Sequence, residues 1–183
     1  MKKILLLLSL LLATNAWAYN ETDLMKLKTL NACEGCDLSG INLKGADLKT
    51  ARLDRVNLSG ADLSGVNLSD ANLRGANLSD ANLKGADLKT AMLDSANLSD
   101  TDLSEADLKA ANLKGANFRG ANLSGVNFSG ANLRQADLRE TDLSDTNLRE
   151  ADLRGATLNG ANLTGAQYCQ TRMPSWEERN DDC

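Results

Sequence analysis

From Cys36 to Gln170 a five-residue unit recurs without interruption: a small residue, then usually Asp or Asn, then Leu, then two mostly polar residues. The third slot is Leu38, Leu43, Leu48 and so on at every fifth position, with Phe118, Phe128 and Tyr168 as its only replacements. The first slot is mostly Ala, as at Ala46, Ala61 and Ala121; elsewhere it is Cys36, Ile41, Val56, Val66, Val126, Thr101, Thr141 or Thr146. The run holds 27 consecutive units, residues 36–170 of 183. An α-helix turns about 100° per residue, so leucines at this spacing smear around it and form no stripe. A straight strand fails as well, because five is odd and successive leucines would point to opposite faces. Every first and third slot points inward only if the chain turns at each unit. That describes a closed coil whose sides are single units, stacked as a solenoid. Gly in the fifth slot (Gly40, Gly60, Gly75, Gly120, Gly160) suits a corner of positive φ. Other units carry Asp, Glu, Thr, Ala, Arg, Ser or Gln there, which predicts corners of mixed type.

Units such as Ala71-Asn72-Leu73-Arg74-Gly75 and Ala86-Asp87-Leu88-Lys89-Thr90 resemble the pentapeptide repeat family. The resemblance implies a right-handed quadrilateral parallel β-helix with four units per coil. The expected organisation is a signal segment (1–18), an N-terminal cap helix (19–35), a β-helix (36–170) and a C-terminal cap tail (171–183). At the strand spacing of a sheet, the 27 units make a rod of about 32 Å. A central leucine such as Leu98 is read as inward, and each buried Leu contributes about 1.5–3 kcal/mol. Phe118 and Phe128 lie two units apart, on opposite sides of the tube, and are read as filling its axis.

Lys2 and Lys3, the apolar run from Ile4 to Ala13 and the small-x-small site Ala16-Trp17-Ala18 read as a secretory signal cleaved before Tyr19. The apolar run is too short for a membrane span. The expected address is periplasmic or secreted, with no membrane contact after cleavage. Export permits disulfides. Cys33 and Cys36 sit at the start of the rod, and Cys169 and Cys183 at its end. Disulfide Cα atoms must lie within about 7 Å, so the rod length predicts the pairs Cys33–Cys36 and Cys169–Cys183. A redox dithiol at Cys33-Glu34-Gly35-Cys36 would need a helix N-terminus in an α/β fold, which nothing here predicts. Zinc is not expected, since the chain has no His and the two cysteine pairs are far apart.

Solenoid ends need atypical caps. In residues 20–32, Asn20 or Thr22 can serve as N-cap, and Glu21 and Asp23 favour the first turn. Leu24, Leu27 and Leu30, with Met25 beside them, predict one apolar stripe over the first coil. Tyr168, Met173, Pro174 and Trp176 predict a tail folded back over the last coil.

The sequence offers no catalytic constellation. It has no His, which removes the commonest general base. Asp47, Asp62, Asp87, Asp102, Asp107 and Asp142 share one repeat slot and read as partners of the coil backbone. No phosphate-binding glycine loop is present, and no cofactor or metal is expected. The surface is more informative. Without Lys2 and Lys3 the charge is 18 basic against 25 acidic residues. With four units per coil, the face through Leu53 carries Arg52, Arg55, Arg74, Lys114, Arg134 and Arg154 against Asp54, Asp94 and Asp152. The other three faces are net acidic. The basic row is the candidate partner face.

The function expected is an exported, non-catalytic structural or protein-interaction module, monomeric or weakly dimeric. The partner is an unknown protein and not nucleic acid. The resemblance also implies an alternative, since cytoplasmic family members resemble duplex DNA and inhibit type II topoisomerases such as gyrase. The signal segment and the basic face count against that alternative.

Overall fold

Second-slot residues pair in parallel with those twenty positions on, from Ala32 with Arg52 to Asp152 with Arg172. Twenty residues are four units, so each coil has four sides. This is a computed structural model, and it describes residues 20–183; the expected signal segment lies outside the described residues. The fold is a right-handed quadrilateral parallel β-helix.

One backbone scheme repeats along the rod. The third-slot N–H bonds forward to a second-slot carbonyl of the next coil, as Leu98 to Asn117 at 2.7 Å. The fifth-slot N–H bonds forward to a fourth-slot carbonyl, as Asp100 to Arg119 at 3.0 Å. The second-slot N–H bonds backward, as Asn97 to Ala76 at 2.9 Å. At most corners the next first-slot N–H closes a turn on the third-slot carbonyl, as Ala96 to Leu93 at 3.0 Å. First and third slots fill the tube. Leu98 is buried, and Phe118 meets Phe128 edge to face with centroids 6.2 Å apart.

The second slot prefers Asp or Asn because its side chain finishes the corner. Its Oδ1 accepts the N–H two residues on, as Asp62 from Ser64 at 3.1 Å and Asn67 from Ser69 at 3.1 Å. The same oxygens are linked between coils. Asn77, Asn97 and Asn117 donate in sequence to Asn57, Asn77 and Asn97 at 2.9–3.1 Å. Buried Thr101, Thr141 and Thr146 turn their hydroxyls onto the carbonyls of Leu98, Leu138 and Leu143 at 2.6, 2.7 and 2.8 Å. Each hydroxyl is thus satisfied without water.

The corners are not mixed. Every fifth slot from Gly35 to Gln170 has positive φ, including Thr50, Arg55, Asp70, Ala110 and Glu150. The coil scheme demands one turn geometry, and side chains that disfavour it are forced into it. At Gly120 and Gly165 a Cβ would also collide with the carboxylates of Asp100 and Asp145 in the coil below, whereas at Gly45, Gly60, Gly65, Gly85 and Gly130 it would meet open space.

Coil geometry also begins before Cys36. Cys33 N–H bonds to Arg52 O and Gly35 N–H to Asp54 O, both at 2.8 Å. Cys33 occupies a third slot, where its sulfur replaces the usual Leu. At the far end Thr171 is buried in a first slot, its hydroxyl on Leu148 O at 2.7 Å, and Arg172 joins the ladder.

The cap helix α1 (Glu21–Leu30) starts at Asn20, whose Oδ1 accepts the Thr22 N–H at 2.9 Å, and stops at left-handed Asn31. Leu27 is buried and Leu24 packs on the core. Leu30 and Met25 do not join them: they are 68% and 62% exposed. Met25 lies about 160° round the helix from Leu27, and Leu30 sits in the last turn, where the chain leaves for Ala32. After the last coil, β1 (Thr171–Arg172) and β2 (Glu178–Arg179) form a short antiparallel ladder. Tyr168 is buried beneath this tail, but Trp176 is 69% exposed and covers no part of the core.

Two substitutions test the slot assignments by thermal and chemical unfolding. Ala110→Gly relieves a left-handed alanine, which costs about 1–2 kcal/mol, against a smaller entropy loss for Gly. A net gain of about 0.5–1 kcal/mol is expected, and a loss would contradict the corner geometry. Leu98→Ala is expected to cost about 2–5 kcal/mol.

Candidate functional site

The face through Leu53 gathers Arg52, Arg55, Arg74, Lys114, Arg134 and Arg154 onto one side of the rod, because their units are multiples of four apart. They are not equivalent. Arg52 Nε faces Glu34 at 3.8 Å, and Arg74 Nε bonds Asp94 at 3.2 Å. Arg154 is forked on Asp152 at 2.6 and 2.8 Å, and Trp176 lies over its guanidinium at 5.1 Å. Asp54 and Asp94 also accept side-chain amides, from Asn72 at 2.6 Å and Asn112 at 2.5 Å. Arg55 occupies a left-handed corner.

Lys114 and Arg134 differ from the others. They occupy the fourth slot in consecutive coils, about 5 Å apart along the axis, and neither has a carboxylate partner among the described residues. Their units place Asn112, Asn132, Gly115 and Gln135 beside them and no acid. Arg134 Nε is shielded from solvent without a hydrogen-bond acceptor. Sequence reasoning located the row. It did not separate these two cations from the four engaged by neighbours or bent into a corner.

The two ends of the rod are the other places where the repeat scheme is broken. At the start, Asp23 of α1 stands in for a missing coil. Its Oδ2 accepts the Asp37 N–H at 3.1 Å and its Oδ1 the Lys26 ammonium at 2.7 Å. The Lys26 bond, with help from the Asp37 N–H, holds the Asp23 carboxyl below the usual carboxylate range. Cys33 and Cys36, disulfide-bonded with Cα atoms 5.3 Å apart, pack beside it. Both sulfurs are spent on that bond, so the Asp23, Cys33, Cys36 cluster offers no thiolate to a metal. Next to α1, Leu27, Leu43, Ala46 and Leu48 line a groove of about 420 Å³. At the other end Cys169 is bonded to Cys183, Cα to Cα 4.9 Å. The tail lays Asp182 Oδ2 on the Tyr168 N–H and Asn180 Oδ1 on the Gln170 N–H, each at 2.7 Å. Arg179 stacks on Tyr168 at 3.7 Å. Sequence reasoning found the cap segments by their position but not these plugs, whose signal is an Asx two residues from another Asx after the repeats end.

A solenoid of five-residue sides with four per coil defines the class of protein. The family model for pentapeptide repeats matches residues 33–70, 71–109, 101–139 and 131–167. The chain belongs to the pentapeptide repeat family. Among solved structures it is similar to HetL, a protein of Nostoc sp. strain PCC 7120 involved in heterocyst differentiation regulation, at 36% identity over 81% of this chain and 74% of that one (TM-score 0.38). It is similar to a pentapeptide repeat protein of the Arabidopsis thaliana thylakoid lumen at 29% identity over 62% and 68% (TM-score 0.29). It is also similar to QnrB1, a plasmid-mediated fluoroquinolone resistance protein, at 25% identity over 75% and 72% (TM-score 0.28). A comparison with curated proteins gives no match.

The Asp23 plug has a pH signature. Its folded pKa is depressed, so its contribution is present above the unfolded value, about 3.9, and is lost as pH falls through the folded one. Melting temperature is expected to stay level from neutral pH to about 5 and to fall below about 4. Asp23→Asn is expected to melt lower at pH 7 and to flatten the acid limb. An unchanged acid limb in that variant would show that the plug carries none of it.

Proposed function

We propose that this protein is an exported, non-catalytic interaction module that docks a protein partner on the face carrying Arg52, Arg55, Arg74, Lys114, Arg134 and Arg154. The observation that carries the reading is the pair Lys114 and Arg134, two adjacent cations that, among the described residues, have no carboxylate within ion-pair distance, while Asp94 and Asp152 flank them one coil away on a rod whose other faces are acidic. An unpaired cation on a rigid, flat face has little entropy left to lose when an acidic partner arrives, and its field guides the encounter. Inward slots filled by Leu, Ala and Phe leave the shaft with rows of side chains to present to a partner. A face of net positive charge, with Asp94 standing between Arg74 and Lys114, is the opposite of what mimicry of duplex DNA requires. Pentapeptide repeat proteins are in general structural or interaction modules, which agrees with the absence of His from this chain.

Export rests on the sequence of residues 2–18 and on four cysteines paired in two disulfides at the rod ends. Mass spectrometry of the protein recovered from the cell envelope or medium is expected to show an N-terminus at Tyr19. A chain beginning at Met1 in the cytoplasm would defeat this part of the proposal.

In-cell photo-crosslinking from probes on each of the four faces tests the partner face. Capture of one protein from the Leu53 face is expected, with a loss of about tenfold or more in Lys114→Glu/Arg134→Glu. Arg74→Ala is expected to change capture little, since Arg74 already has Asp94. Capture from another face, undiminished by the double reversal, would reject the assignment.

A further inference from the structure

The C-terminal end of the rod is only half covered. In the last coil the tail occupies the sides through Tyr168 and Met173. Among the described residues, the side through Leu158 is only flanked by Pro174, and no chain is laid along it or along the side through Leu163. Leu158, Ala161, Leu163 and Ala166 are partly exposed, whereas Leu138 and Leu143 one coil below are fully buried. By the forward bonding of the repeat, the N–H groups of Leu158, Gly160, Leu163 and Gly165 point out of the end. None has an acceptor among the described residues.

The chain itself shows what such donors take. Tyr168 and Gln170 are the third and fifth slots of the very next side. Their N–H groups receive Asp182 Oδ2 and Asn180 Oδ1, and the Tyr168 carbonyl receives the Asp182 N–H at 2.8 Å. An extended segment with Asx at alternate positions therefore matches a pair of donors two residues apart. Leu158 with Gly160, and Leu163 with Gly165, repeat that pair ten and five residues earlier. A second copy cannot supply the next coil directly. Its own first coil lies under α1, which is about 10 Å thick, and coils stack at about 4.8 Å. The occupant must be thin.

We propose that this open half is a docking edge for an extended segment of a partner protein, in which each Asx-x-Asx motif places its two side-chain oxygens on one pair of N–H groups, Leu158 with Gly160 or Leu163 with Gly165. An apolar side chain beside the motif covers Leu158 and Leu163. The mode is strand addition to an exposed edge, with pockets and side-chain acceptors supplying the specificity. The edge is separate from the basic face, at the end of the rod instead of along it.

The probe is a synthetic peptide with the sequence of residues 177–182, acetylated and amidated, titrated at millimolar concentration into the full-length disulfide-bonded protein. Amide NMR shifts report the site. Shifts concentrated at Leu158, Gly160, Leu163 and Gly165 are expected. They are expected to weaken about tenfold, or vanish, with a peptide that has Ala in place of Asn180 and Asp182. Leu163→Asp, at an already open position, is expected to remove them too, and the peptide control stands even if that variant melts early. No shifts at these amides, equal shifts with the Ala peptide, or shifts confined to Lys114 and Arg134 would each overturn the proposal.

Discussion

The ladder of backbone bonds between successive coils is the constraint on which the rest of this molecule depends. Each coil must offer its donors and carbonyls at the same height and angle as the one beneath it. This is why units stay at five residues and why all corners share one turn. The alternative for a corner such as Ala110 or Thr50 is to relax its own φ and break bonds to two coils. One strained residue costs about 1–2 kcal/mol; a lost bond with its partner left dry costs a similar amount. Ladder and strain are therefore close competitors at one corner. The ladder wins because a shifted corner would displace the third-slot Leu on both flanks as well.

The same ladder gives the rod a direction. Third- and fifth-slot N–H groups point toward the C-terminal end, and the carbonyls that would receive them point the other way. The two ends therefore need different plugs. At the start, the carboxylate of Asp23 receives the Asp37 N–H and Asn31 donates to the Lys49 carbonyl at 2.9 Å. At the finish, Asp182 and Asn180 receive N–H groups. In each case a short polar side chain imitates the missing backbone, as capping residues do at helix termini. Disulfides sit beside both plugs; Cys169–Cys183 ties the tail to the last coil, while Cys33–Cys36 links two coil residues that pack beside Asp23.

Much of this was legible in the sequence because the period encodes the direction of each side chain. Leu98, Phe118 and Thr101 could be placed inward from their slots alone. Four sides per coil could not come from the period, and rested on the resemblance to the family. Cys33 was not recognised as a third-slot residue, since its unit, residues 31–35, lacks the Leu and Asx that mark the others. Leu30 and Met25 misled because spacing along a helix says nothing of where the helix stops or how wide a coil it covers. The basic row was visible, but its sorting was not. Arg74 finds Asp94 twenty residues on, which the period allows one to foresee; Asp54 turns instead to Asn72, eighteen residues on, which it does not.

A tube whose interior is filled by Leu, Ala and Phe presents only rows and rims to other molecules. Along the shaft, recognition must use side chains spaced by the coil rise, and there an ion pair within the row competes with any partner. An Arg already forked on its neighbour, as Arg154 on Asp152, gains little from a second carboxylate, whereas Lys114 and Arg134 have that gain still to make. At the rim, recognition can use the backbone itself, whose donors do not depend on which side chains a unit carries. The two kinds of surface thus differ in their response to salt. Binding to the shaft row is Coulombic and weakens with ionic strength, while strand addition at the rim rests on hydrogen bonds and apolar contact and holds where screening is strong.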